Sequence, residues 1–344
     1  MAASSRSTTS YEVKIGTRTF TQPENDGVEQ IVVEDHVDMV EMLTMRLQGA
    51  EATPDFDIEI GMAIEVKAGA GGRQLFKGEV TALEPSWSVD GMVTMTVRGL
   101  DNAHRLARGR MTRYFNQKKD SDVATSVGKE CKLDVSADPT TETHDYILQR
   151  NESNLAFLKR LAARNNFQLT VDEGKLYFKK AAFSTAPVKI TMGTDLRSLR
   201  MNFNSQDQAT KVVVRGWDIR TKKEIVGTAT HSDVEKIGGG EIGASLSNSK
   251  FGEQIAYITD VPIGSQAMAN EVAKAEMNRL ARQFARGSCV VDGNDLLFAG
   301  AVAEFSGLQK PHNGKYYVIS TRHVISPQAG YTTEFTFCGN TLGT

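Results

Sequence analysis

GMAIEV (61–66), LFKGEVTAL (75–83) and GMVTMTVRG (91–99) lie toward one end of the chain. GAVAEF (300–305), KYYVIST (315–321) and GYTTEFTFCG (330–339) lie at the other. Gly61, Glu65, Gly91 and Thr94 recur as Gly300, Glu304, Gly330 and Thr333, at a constant offset of 239 positions. Both runs have the same order: glycine, short alternating strand, gap, β-branched strand, turn with glycine, long alternating strand. Four identities are few, and the shared order carries more weight. It predicts two similar β-modules in one chain with something inserted between them. A repeated β-module with no chemistry in it points to assembly.

Outward from the first run, strand signals begin at YEVKIG (11–16) and continue in EQIVVEDHVDMVEMLTMRLQ (29–48). There Val37, Met39, Leu43, Met45 and Leu47 alternate with polar residues, the period-2 sign of a half-buried strand. Breaks at Gly49, Pro54, Gly61, Gly69–Gly72 and Asp90–Gly91 come at strand-length intervals. Asp90-Gly91 is a hairpin signal. Residues 11–100 read as one small antiparallel barrel or closed sheet, preceded by a Ser/Thr-rich, disordered 1–10.

The texture then changes. Residues 101–170 read as mixed helix and turn, with a short acid-capped helix in DSDVATSVGK (120–129). The clearest helix is NESNLAFLKRLAARNN (151–166), where Leu155, Phe157, Leu158, Leu161 and Ala162 form an apolar stripe. Asn151 or Ser153 can cap its start, and Asn165/Asn166 its left-handed end. QLTVDEGKLYFKK (168–180) reads as a hairpin around Glu173-Gly174. Strands return in LRMNFN and TKVVVRGWD (199–204, 210–218). The Gly/Ser-rich 221–262 reads as a long loop. Ser265 then caps a long helix, with Ala269, Ala273, Met277, Leu280 and Phe284 on one face and Gly287 closing it.

Composition narrows the class. Hydrophobic residues make up 40% of the 344 and charged residues 24%, which argues against wholesale disorder. A net charge of −2 provides no overall positive field for nucleic acid or acidic lipid. Arg105, Arg108, Arg110 and Arg113 read as a local basic patch or, more plainly, as a solvated face at a domain edge. Cys131, Cys289 and Cys338 are far apart and form no disulfide framework, which suits buried thiols in a reducing compartment. No apolar run approaches the ~18–20 residues of a membrane span, and the N-terminus lacks a signal-peptide core.

No catalytic, cofactor-binding or metal-ligating residue is assigned. His36, His104, His144, His231, His312 and His323 show no paired metal-ligand spacing, and His323 reads as a hydrogen-bonded structural residue. No nucleophile elbow exists. GAGG at Gly69–Gly72 lacks the spacing of a phosphate loop and reads as a hairpin tip. Trp87 and Trp217, each beside a turn or strand end, are either interface anchors or rim packing.

Three segments carry a family resemblance. YILQRNESNLAFLKRLAARNNFQLTVDEGKLYF (146–178) resembles the segment after the first barrel in VgrG-type spike proteins and phage late-control D proteins. The helix 265–286 with SCVVDGNDLLFAGAVAEFSGL (288–308) resembles that family's entry to a second barrel. NGKYYVISTRHVISPQAGYTTEFTF (313–337) resembles its closing run. The chain thus resembles the late-control D/VgrG N-terminal (gp27-like) tail hub family of contractile injection systems.

The resemblance implies a mainly β fold with α insertions (α+β): two tail-tube-like antiparallel β-barrel modules with a mixed helix/hairpin segment between. The expected layout is 1–10 disordered; 11–110 first barrel; 111–197 mixed α/β insertion; 198–344 second barrel with the loop 221–262 and helix 265–286. It further implies a structural baseplate hub of a phage tail or phage-like injection system. A homotrimer would present six barrels and adapt a sixfold tail tube to a threefold spike. Implied partners are the tail tube or tube initiator, a separate spike protein and other baseplate components, with no cofactor, no nucleic acid and no membrane span. Such a protein is made in the bacterial cytoplasm and assembled into the particle. VgrG-type proteins continue into a β-helical spike with short repeats, which these residues lack, so the spike is expected on another polypeptide. Asn166 stands where glycine is frequent in the family, a position Asn tolerates. Two other readings stay open: a peptidoglycan-degrading enzyme on a hub scaffold, and a monomeric carbohydrate-binding β-protein.

Overall fold

The structure, a computed structural model, describes residues 10–22, 27–49, 56–69, 71–89, 92–172 and 174–343. The expected disorder of 1–10, apart from Ser10, lies outside the described residues, as do Pro54, the Asp90–Gly91 turn and Glu173. The first strands are β1 (Tyr11–Ile15), β2 (Arg18–Thr21), β3 (Val28–His36), β4 (Met42–Gly49), β5 (Ala63–Ala68), β6 (Arg73–Trp87) and β7 (Val93–Asp101). Then come α1 (His104–Ala107), β8 (Met111–Lys119), α2 (Asp120–Glu130), β9 (Asp134–Ala137), β10 (Thr143–Glu152), α3 (Asn154–Arg164), β11 (Phe167–Asp172) and β12 (Lys175–Lys180). β13 (Val188–Thr191), β14 (Leu196–Phe203), β15 (Lys211–Asp218), β16 (Lys223–Thr230), α4 (Gly243–Phe251), β17 (Ile255–Ile258) and α5 (Gln266–Ala281) follow. The last strands are β18 (Ala285–Asp292), β19 (Val302–Ser306), β20 (Gly314–Ser326) and β21 (Gly330–Gly339).

The protein is mainly β, and its largest sheet curls as an antiparallel half-barrel. Among the described residues that sheet has 13 strands, ordered β14-β18-β21-β20-β3-β4-β7-β6-β5-β1-β2, with β19 on β20 and β13 parallel to β19. The closed sheet expected for 11–100 is therefore replaced by an open one: among the described residues β2 does not pair with β3. β3 instead pairs with β20, which is long enough to hold β19 on its first half and leave its second half unpaired. An unpaired run of backbone N–H and C=O groups in the fold interior is costly, and β3 satisfies it.

Alternation decides which side chains fill the curl. In β1, Tyr11, Val13 and Ile15 are buried while Glu12 and Lys14 face water, and they join Phe20, Ile31, Leu43 and Met45 in one core cluster. A second cluster gathers Phe284, Cys289, Phe305, Tyr316, Phe335 and Phe337 under β18–β21. Burial of each large side chain contributes about 1.5–3 kcal/mol. Between them, α2 and α3 pack Val123, Val127, Phe157, Leu158 and Leu161 onto the sheet β11-β12-β9. The Ser153 hydroxyl accepts from Ala156 N–H at 3.2 Å and caps α3, and Asn166 ends it at φ +54°.

Four local expectations are corrected. The alternating 37–47 segment is not one strand: 28–49 is a hairpin, and its turn passes through Asp38 at φ +64°, a conformation Asp tolerates. Residues 101–170 contain strands as well as helices: β8 pairs with β10, and β9 joins the sheet of β11 and β12. Helix α5 stops at Ala281, and Gly287 lies inside β18, paired with Met201 and Phe337, because ladders on both sides outweigh helix propensity in 285–287. The loop assigned to 221–262 holds β16, α4 and β17. Its pattern is faint because α5 lies so close to β16 that the inward residues are small; a Cβ on Gly227 would come within 2.3 Å of the Ala269 backbone.

Candidate functional site

β20 meets β3 at a seam within the largest sheet. β20 pairs antiparallel with β19 through Gly314–Tyr317, then, after a bulge between Val318 and Ser320, with β3 through Ser320–Ile325. Val37 N–H extends the ladder by donating to Ile319 O at 2.9 Å. Arg322 lies 3.4 Å from Glu34 across the seam and 3.4 Å from Glu334 on β21. Ile325 and Tyr331, from the end of the β20–β21 hairpin, are buried in the first core cluster.

β6 has a similar build. Its first half pairs with β5, a bulge falls between Val80 and Ala82, and β7 runs along one edge to Trp87. From Leu83 to Trp87 its other edge carries no strand among the described residues. Gly61 (φ +94°) donates to Val80 O at 2.8 Å, and Val80 N–H donates to Met62 O at 2.8 Å. Gly300 (φ +99°) donates to Val318 O, and Val318 N–H to Ala301 O, both at 2.9 Å. Both glycines hold the left-handed region that a side chain disfavours.

Beside the seam is a cavity of about 210 Å³ lined by Asp35, Glu41, Asp101, Thr321, His323 and Asp295, among others. It draws from the first strands, the β11–β12 hairpin and the segment before β19. Desolvation pushes Asp35 up to about 6, although its carboxylate accepts from Ala299 N–H at 2.8 Å. The same cause pushes Asp101 up to about 8 and Glu41 well above the usual carboxylate range. The Thr321 hydroxyl is buried without a hydrogen-bond partner. No group of three or more His, Cys, Asp or Glu among the described residues could hold a metal ion. The cavity is thus lined by carboxyl groups, of which Glu41 and Asp101 are pushed furthest toward the neutral form, with Arg73 and Lys77 also in its lining.

Sequence reasoning missed these acids. The signal was the dense EDHVDMVE run at 34–41, but nothing local indicates that Ala299 and Thr321 come to face it. His323 is buried; its Nε2 hydrogen bonds Leu297 O at 3.0 Å, its Nδ1 lies 2.8 Å from the Tyr331 hydroxyl, and burial lowers it to about 4. The arginine run is split. Arg105 pairs with Glu79, Arg108 donates to His104 at 3.1 Å, and Arg113 reaches Gln149 at 2.8 Å and Glu130 at 2.5 Å, leaving Arg110 exposed. Arg108 and Arg110 thus lie on an exposed face, while Arg105 and Arg113 form ion pairs with Glu79 and Glu130. All three cysteines are free, and burial pushes the Cys289 and Cys338 thiols up to about 12 and about 11. Gly69 and Gly72 lie between β5 and β6, where Gly72 N–H donates to Gly69 O at 3.2 Å. Trp87 is 69% exposed and Trp217 58%. Among the described residues no helix is long and apolar enough to cross a membrane.

The chain belongs to the family described as the Alg8 N-terminal domain, which matches residues 6–327. Among solved structures it is similar to the 43 kDa tail protein of prophage MuSo2 from Shewanella oneidensis, with a TM-score of 0.71 and 18% identity over 96% of this chain and 98% of that one. It is similar to the tail protein from Neisseria meningitidis MC58 at TM-score 0.71 and 12% identity, over 96% and 97% of the two chains. The E. coli c3393 protein, a component of the type VI secretion system with structural similarity to T4 tail proteins gp27 and gp5, follows at TM-score 0.63 and 11% identity. That match covers 95% of this chain and 76% of that one. A search of curated proteins finds no match. The fold is that of the gp27-like tail proteins which the sequence resembles.

Proposed function

We propose that this chain is a non-enzymatic structural hub in the baseplate of a phage tail or phage-like contractile injection system. The observation that carries this reading is a repeated strand order on a tail-protein fold. β3, β4, β7, β6 and β5 lie side by side in that order, and β14, β18, β21, β20 and β19 do the same, antiparallel throughout. Two tube-like modules, within 11–110 and 198–344 and separated by the insertion 111–197, account for that repetition. Three chains then present six such modules, so a sixfold tube can sit on a threefold spike. Its partners are copies of itself, the tail tube or its initiator, a spike protein and other baseplate components. It is made in the bacterial cytoplasm and becomes part of the particle.

Light scattering on the purified chain, alone and with a spike protein, tests this reading. A particle of three 37.6 kDa chains, or a threefold complex that forms with the spike, is the expected result. A monomer under both conditions overturns the hub and favours the glycan-binding alternative.

A further inference from the structure

The seam inside one chain is a template for the contact between chains. The two strand sets match residue by residue. β5 is offset by 239 positions from β19, but β6 and β7 by 238 from β20 and β21, so that Thr94 matches Thr332 rather than Thr333. Ile31, Met45, Val97 and Leu83 form a row across β3, β4, β7 and β6. Leu199, Cys289, Phe335 and Thr321 form the corresponding row across β14, β18, β21 and β20. The register shifts coincide: Val28/Gln30 with Leu196/Ser198, and Val80/Ala82 with Val318/Ser320.

In this alignment β3 corresponds to β14, and the second half of β20 to the second half of β6. Inside the chain, β20 of one set pairs with β3 of the other. Their counterparts, β14 and the Leu83–Trp87 stretch of β6, each keep a free edge among the described residues. The hairpin ends differ in the same way. Ile325 is 1% exposed, sealed in the core of the other set, whereas Trp87 at the matching position is 69% exposed beside Met92.

We propose that the Leu83–Trp87 edge of β6 pairs antiparallel with β14 of a second copy of this chain, in the register of the internal seam. Copying Thr321↔Asp35, Val324↔Val32 and Ile325↔Ile31 gives Leu83↔Phe203, Ser86↔Arg200 and Trp87↔Leu199 between chains. Trp87 then packs beside Leu199 over the second core cluster of the neighbour, as Ile325 does over the first. Pro85 stands at the His323 position and has no N–H, so this ladder has one donor fewer; proline is accommodated on such edges. The contact is heterologous, and it closes into a ring when each step repeats the rotation of the internal seam. This inference rests on the hub reading and deepens it by naming the surfaces that meet.

Cysteines at facing positions test it in the full chain. Cross-strand neighbours lie about 4.5–5.5 Å apart at Cα, within disulfide reach. The double variant S86C/R200C, mildly oxidised, is expected to run as covalent dimers and trimers without reductant. Each single variant, and the out-of-register pair S86C/S198C, should remain at one chain mass. Trp87→Asp alters a side chain that is exposed within its own chain, so the fold survives, and association should weaken about tenfold or more by light scattering. A wild-type trimer that neither cross-links through these positions nor responds to W87D overturns the seam while leaving the hub standing. A wild-type monomer overturns both.

Discussion

Two buried acidic sites, Asp120 at the start of α2 and Asp101 beside the seam, are treated by the fold in opposite ways. Asp120 begins α2 and is 1% exposed, yet its carboxylate pairs with Arg164, accepts from Asn165 at 2.6 Å and lies 3.6 Å from His144. Burial alone would raise its pKa; the His144 and Arg164 contacts outweigh it and hold the group down to about 2. Asp101 is 3% exposed and accepts from Ala103 N–H at 3.1 Å, but its neighbours include the acids Asp35 and Asp172, and among the described residues no cation is bonded to it. Its pKa rises to about 8. Burial costs both groups solvation, so what differs is whether the fold supplies a positive partner. Asp120 is held as a charged partner of Arg164, whereas burial pushes Asp101 and Glu41 beside the seam toward the neutral form.

The largest effect should come from breaking the charge pair. Arg164→Met leaves a carboxylate buried without its guanidinium, and removing one partner of such a pair costs about 3–5 kcal/mol. Urea unfolding at pH 7 should show that loss, and the double variant D120N/R164M should recover part of it. A loss below about 1 kcal/mol would mean that Asn165 and His144 suffice.

The two sites should next separate by pH. Asp120 is lowered in the fold, so its contribution is present above the unfolded value of ~4 and is lost as pH falls through about 2. A shift of this size corresponds to about 2–3 kcal/mol. Asp101 is raised, so its contribution is complete below ~4 and is lost as pH rises through about 8. Each proton given up there costs about 1.4 kcal/mol per pH unit. Stability should therefore fall on both limbs. Asp101→Asn keeps the acceptor for Ala103 and should flatten the alkaline limb alone, and D120N the acid limb alone. Unfolding curves from pH 3 to 9 decide this, and an alkaline limb unchanged by D101N would place the effect on Asp35 or Glu41.

These sites also mark how far the sequence can be read. Ser153, Ser265, Asn166 and the alternation of β1 are local features, in which neighbours three or two residues apart settle the conformation, and they were legible. The recurrence of Gly61 at Gly300 was legible for the same reason, since each shapes one turn. The pairing of β20 with β3 joins residues nearly 300 positions apart, and no local pattern encodes it. The acidic cap of α2 is local and is supplied by Asp122, which accepts from Lys119 N–H at 3.2 Å, whereas the Asp120–Arg164 pair needs α2 and α3 already packed. Segment 221–262 was misread because Gly227 and Ala229, small for close packing against α5, give the same letters as a loop.

The smallest expected effect concerns hydroxyl groups at the same two places. At the start of α2, the Thr140 hydroxyl accepts from Ser121 N–H at 3.2 Å and lies 3.3 Å from the Ser121 hydroxyl. At the seam, the Thr321 hydroxyl is buried with no partner. Valine has nearly the shape of threonine, so each substitution isolates the hydroxyl. Thr140→Val strands a buried N–H and should cost about 1–3 kcal/mol, whereas Thr321→Val removes an unsatisfied group and should be neutral or stabilising by up to ~1 kcal/mol. If T321V instead destabilises the protein, the Thr321 hydroxyl is hydrogen bonded in solution, through water or a neighbouring carboxyl, and the seam cavity is a polar network rather than a set of separately neutral acids.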